Sequence, residues 1–105
     1  MEKKEIVDSL FYSGGTLEEK DIIKTSSTCK YNIAINDSYM FIFSKENGSL
    51  IKTVKVEFQS EFTFKVMRAN VKISKNSFIH MMTDDFWSCV ARDAINNIVR
   101  VTKSC

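Results

Sequence analysis

Phe78-Ile79-His80-Met81-Met82 runs directly into Thr83-Asp84-Asp85-Phe86-Trp87-Ser88-Cys89-Val90-Ala91-Arg92-Asp93-Ala94-Ile95-Asn96-Asn97-Ile98-Val99-Arg100. The first five residues read as a strand and the remainder as a helix. Thr83 stands where a hydroxyl accepts a backbone N–H of the first helical turn, and Asp84 and Asp85 place negative charge where the helix dipole is positive. Trp87, Val90, Ala91, Ala94 and Ile98 then recur at helical spacing and make one apolar stripe, while Arg92, Asp93, Asn96 and Arg100 fall on the other side. The spacing predicts a single amphipathic helix over about 84–100, with a large aromatic in its first turn.

Upstream of this helix the chain reads as short strands joined by polar turns. Tyr31–Ile35 alternates at the strand period of two, Asn36-Asp37-Ser38 is a turn cluster, and Tyr39–Phe43 is apolar on both faces. Asn47-Gly48 centres the next turn. Val54, Val56 and Phe58 share a face opposite Thr53, Lys55 and Glu57. After a turn at Gln59-Ser60-Glu61, Phe62, Phe64 and Val66 share a face opposite Thr63 and Lys65. Arg68-Ala69-Asn70 makes a short turn, and Val71 and Ile73 a brief strand that leads through Ser74–Ser77 to Phe78–Met82. Glu2–Phe11 fits two patterns equally: a helix with Ile6, Val7 and Leu10 on one face, or a strand through Ile6, Ser9 and Tyr12. Gly14-Gly15 opens a long polar loop to Ser27, with a helical turn about Leu17–Lys24.

A length of 105 residues fits one domain, and 44% hydrophobic residues suffice for one core. No apolar run approaches the roughly 18 residues of a membrane-spanning helix. Met1-Glu-Lys-Lys-Glu5 is charged and not followed by an apolar stretch, so no secretory signal is expected. Cys29, Cys89 and Cys105 form no spaced pair, which points to reduced thiols in a cytoplasmic protein. His80 is the single histidine, so a multi-histidine metal site is excluded, and no metal or cofactor is expected. A net charge of +2 is too small for a dedicated nucleic-acid-binding domain.

The order of these elements resembles the pleckstrin-homology (PH) family. Phe78, Thr83 and Trp87, followed by Ala91, Ala94 and Ile95, match the family's ending of a phenylalanine, a capping hydroxyl and a helix tryptophan. Lys30-Tyr-Asn-Ile-Ala-Ile-Asn-Asp-Ser-Tyr-Met-Phe-Ile-Phe43 is similar to its second and third strands, closest to PH domains that follow exchange-factor domains of Rho-type GTPases. The resemblance spans about 5–101. It implies a mainly β fold: a seven-stranded bent antiparallel barrel over about 5–82, capped by the C-terminal amphipathic helix, with 1–105 as a single domain. It also makes Glu5–Tyr12 the first strand. In such a barrel Trp87 is a lid on one open end, burying on the order of 200 Å². At about 25 cal/mol per Å² that is several kcal/mol, so Trp87, Val90 and Ala94 are expected to be core and not a binding site.

The family's lipid binders hold inositol phosphates at the opposite open end with basic residues around strand 2 and the neighbouring loops. Carried onto this chain, that set is Lys20, Lys24, Lys30 and Lys45, as lipid-headgroup-binding residues facing anionic membrane. The chain departs from the family pattern. Phe11-Tyr12-Ser13 holds no basic residue, Thr28-Cys29-Lys30 keeps only the last, and Glu18, Glu19 and Asp21 dilute the loop. The resemblance therefore implies a non-enzymatic signalling or adaptor module, cytoplasmic or peripheral to the membrane. It would bind anionic phosphoinositide membrane weakly or without stereospecificity. The alternative is a protein-interaction domain, docking by a strand edge or by the helix face of Ser88, Arg92, Asn96 and Arg100, or a small free-standing inhibitor. Catalytic ingredients are thin: Asp84 and Asp85 are explained by capping, and a Cys89–His80 nucleophile pair lacks an oxyanion-hole signal.

Overall fold

The computed structural model describes residues 2–12, 18–96 and 100–101, except for the side chains of 9–12 and 100–101. Helix α1 (Lys3–Tyr12) comes first, then a 3-10 turn at Glu19–Asp21 and strands β1 (Lys24–Ser27), β2 (Tyr31–Ile35), β3 (Tyr39–Ser44) and β4 (Leu50–Lys55). These strands form one antiparallel sheet in sequence order. After them come β5 (Glu57–Phe58), the antiparallel hairpin of β6 (Glu61–Val66) and β7 (Ala69–Ser74), helices α2 (Lys75–Met81) and α3 (Asp84–Ile95), and β8 (Arg100–Val101), which pairs in parallel with β5. The fold is mainly β, with seven strands before the C-terminal helices.

The sheet is buried on both faces. Met40, Phe41, Ile42 and Phe43 of β3 are all buried, and alternate residues enter different cores. Met40 and Ile42 join Ile33, Ile35 and Val54 against Phe78, Ile79, Trp87, Ala91 and Ala94 of α2 and α3. Phe41 and Phe43 join Ala34 and Ile22 against Ile6 of α1. The sheet is thus the middle layer, with α1 and the 3-10 turn on one side and α2 with α3 on the other. A register shift between Ile42 and Phe43 sets Lys52 and Leu50 as their partners. Ile51 is left over as a bulge and stands half exposed.

Several expectations change. Glu5–Tyr12 is helical in α1 and does not form a first strand. Ile6 is fully buried beneath Phe41 and Phe43, a face that an edge strand would have left open. Phe78–Met82 belongs to α2 and its C-cap and does not form the last strand. Ser74 caps α2 by accepting from the Ser77 N–H at 3.2 Å. Phe78, Ile79 and Met82 then face the core at helical spacing, whereas His80 and Met81 point outward. Lys24–Ser27, expected in a loop, is β1. The capped C-terminal helix holds as expected at its start, where Thr83 Oγ1 accepts from the Phe86 N–H at 3.2 Å. It ends at Ile95 rather than near 100. Ile98 and Gly14-Gly15 lie outside the described residues.

An aromatic stack ties the late elements together. The Phe62 and Phe78 rings lie 3.7 Å apart and nearly parallel. Phe78 meets Phe86 edge-on at 5.6 Å, and Phe86 meets Trp87 edge-on at 5.0 Å. This is how the base of the β6–β7 hairpin is anchored to both C-terminal helices.

Candidate functional site

The four candidate lysines are placed by the sheet's two ends. Lys24 pairs with Ile35 at the end that carries the Asn36–Ser38 turn. Lys20 sits in the 3-10 turn just before that end and pairs with Glu18 at 3.0 Å. Its neighbour Asp21 shares a shallow groove with Asn36 and Asp37. Lys30 and Lys45 occupy the turns at the other end, where Ser27 pairs with Asn32 and Tyr31 with Ser44. The set therefore does not converge on one open end, as a phosphoinositide pocket would require.

Lys24 is also spoken for. Its Nζ donates to the backbone carbonyls of His80, at 3.1 Å, and Met82. A cation here satisfies orphan carbonyls at the C-terminus of α2 and complements its dipole. Beside it, Ser26 Oγ donates to the Asp84 carboxylate, so β1 fastens the end of α2 and the start of α3. Replacing Lys24 with Ala is expected to cost about 1–2 kcal/mol, the scale of a charged hydrogen bond. The urea midpoint measures this, and liposome binding should be unchanged. Lys52 plays a similar part at the end of α3, donating to the Ala94 carbonyl at 3.1 Å.

At the other end, two turns are knitted together. The Thr28 N–H donates to the Tyr31 carbonyl at 2.9 Å, closing the β1–β2 turn. The Lys45 N–H reaches the Lys30 carbonyl at 3.1 Å, and Lys45 Nζ donates to the Thr28 carbonyl at 3.0 Å. Lys30 is exposed. Around it open two shallow clefts. One, of about 340 Å³, lies between the turn and α3 and includes Cys29, Asp85, Cys89 and Arg92. The other, of about 510 Å³, is bounded by Lys45 and Glu46. The charges interleave: Lys30, Lys45 and Arg92 stand among Glu46, Asp84 and Asp85. Such a site does not concentrate positive potential on a multiply charged phosphate.

Cys29 is a free, exposed thiol. Cys105 lies outside the described residues. Arg92 Nη2 lies 3.4 Å from Cys89 Sγ. His80 stands exposed on α2. On the outer face of α3, Ser88 is half-buried while Arg92 and Asn96 are exposed. The side chain of Arg100 lies outside the described residues. No group of three or more His, Cys, Asp or Glu among the described residues is placed to hold a metal ion. No helix among them is long and apolar enough to cross a membrane.

The chain matches no family model, no curated protein and no solved structure.

One feature escaped the sequence reading, which centred the last turn on Arg68-Ala69-Asn70. The hairpin register pairs Val66 with Ala69, so the turn is Met67-Arg68 alone. Both residues have positive φ, 48° and 71°. Met67 is 93% exposed and Val66 51% exposed. The available signal was the apolar Val66-Met67 pair placed where turn residues such as Asn and Gly are usual.

Proposed function

We propose that the chain is a non-enzymatic, PH-like docking module drawn to anionic membrane surfaces by charge, without recognising a particular headgroup. The observation that carries this reading is the dispersal of its cations. Lys20 stands at one end of the sheet, Lys30 and Lys45 at the other, and Lys65 and Arg68 on the hairpin. A dispersed set supports diffuse attraction, at about 1 kcal/mol per basic residue near an anionic surface. It does not supply the several donors aimed at one phosphate cluster that stereospecific recognition needs. The resemblance to PH domains supports the same class of function, and the interleaved acidic residues favour the weak form of it.

Co-sedimentation with liposomes at low and at physiological salt, about 150 mM, tests the reading. Binding is expected to rise with the anionic lipid fraction, to be indifferent to which phosphoinositide is present, and to weaken several-fold as salt rises. The double substitution Lys30→Ala with Lys45→Ala is expected to reduce binding without abolishing it. Binding to a single phosphoinositide that Lys30→Ala destroys would overturn the non-stereospecific reading. No binding to anionic liposomes even at low salt would overturn membrane docking and leave the protein-interaction alternative.

A further inference from the structure

We infer that the tip of the β6–β7 hairpin, Val66-Met67-Arg68, is the element that enters the interface of an anionic bilayer. The inference rests on the membrane reading above and names the surface that would carry it out.

The hairpin is longer than the core that holds it. Phe62, Phe64 and Val66 lie on one face of β6, cross-strand from Ile73, Val71 and Ala69. At the base this apolar stripe is covered: Phe62 is fully buried against Phe78, and Phe64 and Ile73 are packed beside it. Beyond the reach of α2 the stripe continues with none of the described residues packed over it. Val66 and Val71 are 51% and 41% exposed, and Met67 at the apex is almost wholly so. Exposed large apolar side chains clustered on a projecting element mark a contact surface more often than singly scattered ones do.

The cations identify the occupant. Lys65 precedes the apolar apex, Arg68 forms half of it, and Lys72 stands on β7 cross-strand from Thr63. The one acidic residue of the hairpin, Glu61, sits at its base and pairs with Lys72 at 3.7 Å. Among the described residues no ion pair or hydrogen bond holds Lys65 or Arg68. An apolar tip flanked by Lys65 and Arg68 is complementary to a lipid interface, in which methyl and thioether groups enter the acyl boundary while ammonium and guanidinium groups stay at the anionic headgroups. An acidic or purely apolar protein patch would satisfy only half of that pattern.

The apex conformation points the same way. A two-residue hairpin turn with both φ values positive favours Asn-Gly, because a side chain in that region costs about 1–2 kcal/mol per residue. Met67 and Arg68 occupy it at φ 48° and 71°. Folding alone would select other residues here.

That conflict supplies a variant that should fold at least as well as the parent. Met67→Asn with Arg68→Gly installs the favoured turn and removes the apolar apex and its cation. The probe is a vesicle of phosphatidylcholine and phosphatidylserine in about a 7:3 ratio, with pure phosphatidylcholine as the control. The expected result is an unchanged or raised melting temperature together with a loss of vesicle affinity of about tenfold. A second variant, Met67→Ser, keeps every charge and is expected to lose several-fold, most clearly at physiological salt, where the apolar contribution remains unscreened. If the parent binds and the Asn-Gly variant binds equally, the hairpin inference is overturned and the charge reading stands. If Met67→Ser binds as the parent does while the double variant does not, insertion is overturned and the tip acts by charge alone. If the parent fails to bind, both the inference and the reading beneath it fall.

Discussion

Trp87→Ala is expected to lower the stability of the domain by about 3–5 kcal/mol, the range for truncating a fully buried large aromatic. Trp87 is completely buried, packs edge-on against Phe86 at 5.0 Å, and belongs to the core that joins α2 and α3 to the sheet. A domain of this size has roughly 5–15 kcal/mol to lose, so the substitution removes about a fifth of the total at the least. Trp87→Phe separates packing from polarity. Among the described residues the indole Nε1 is buried without a hydrogen-bond partner, a state that costs about 1–3 kcal/mol. Phenylalanine relieves that cost while giving up part of the ring's volume, so the net loss is expected to stay below about 2 kcal/mol. Urea denaturation followed by circular dichroism gives both numbers without relying on the tryptophan signal. A Trp87→Ala loss under about 1 kcal/mol would mean that α3 does not close this core. A Trp87→Phe loss as large as that of Ala would mean that the N–H is bonded in solution.

The same region shows what the sequence could and could not tell. The start of α3 was legible because its signals are local: a threonine cap, two aspartates in the first turn, and an apolar stripe repeated over several turns. Strands β2, β4 and β6 were legible for the corresponding reason, alternation bounded by turn residues, and β3 as a short apolar run between two turn clusters. Helix α2 was not. Phe78–Met82 is five residues long, and over so short a span the periods of two and 3.6 pick out overlapping sets. In a strand Ile79 and Met81 would share one face, whereas the helix buries Ile79 beside Phe78 and turns Met81 out to 58% exposure. The Ser74–Ser77 cap was present in the sequence, but Ser74–Ser77 was read as a connection leading into a strand-like apolar run.

The placement of the lysines was hidden for a different reason. Residue type and loop order identify which side chains are basic, but the end of the sheet each one reaches depends on where β1 begins. With Lys24–Ser27 read as loop, Lys20 and Lys24 could be imagined beside Lys30. With that segment paired to β2, they are carried to the far end, and Lys24 is drawn onto the carbonyls that end α2. The hairpin apex was hidden because its conformation contradicts its residue types, and departures of that kind concentrate where a protein makes contacts.

Ile6→Asp is expected to be the most damaging single substitution outside the α2–α3 core. The apolar run of β3 already implied that both faces of the sheet are covered, since Met40, Phe41, Ile42 and Phe43 cannot all face one layer. Among residues whose side chains are described, Ile6 of α1 and Ile22 are the fully enclosed groups that cover Phe41 and Phe43. Ile6→Ala is expected to cost about 2–5 kcal/mol as a cavity. An aspartate in the same place adds an unpaired buried charge, worth several kcal/mol more, and should abolish the cooperative transition. Glu5→Ala, one residue away on the exposed side of α1, is expected to stay within about 0.5 kcal/mol. Hydrogen exchange at the β3 amides adds a local readout: Ile6→Ala should speed it more than it speeds exchange in the β6–β7 hairpin, which has its own anchor at Phe78. If Ile6→Asp folds with an unchanged urea midpoint, α1 does not cover the second face. The segment 5–12 would then be free to act as the edge strand that the resemblance to PH domains implied.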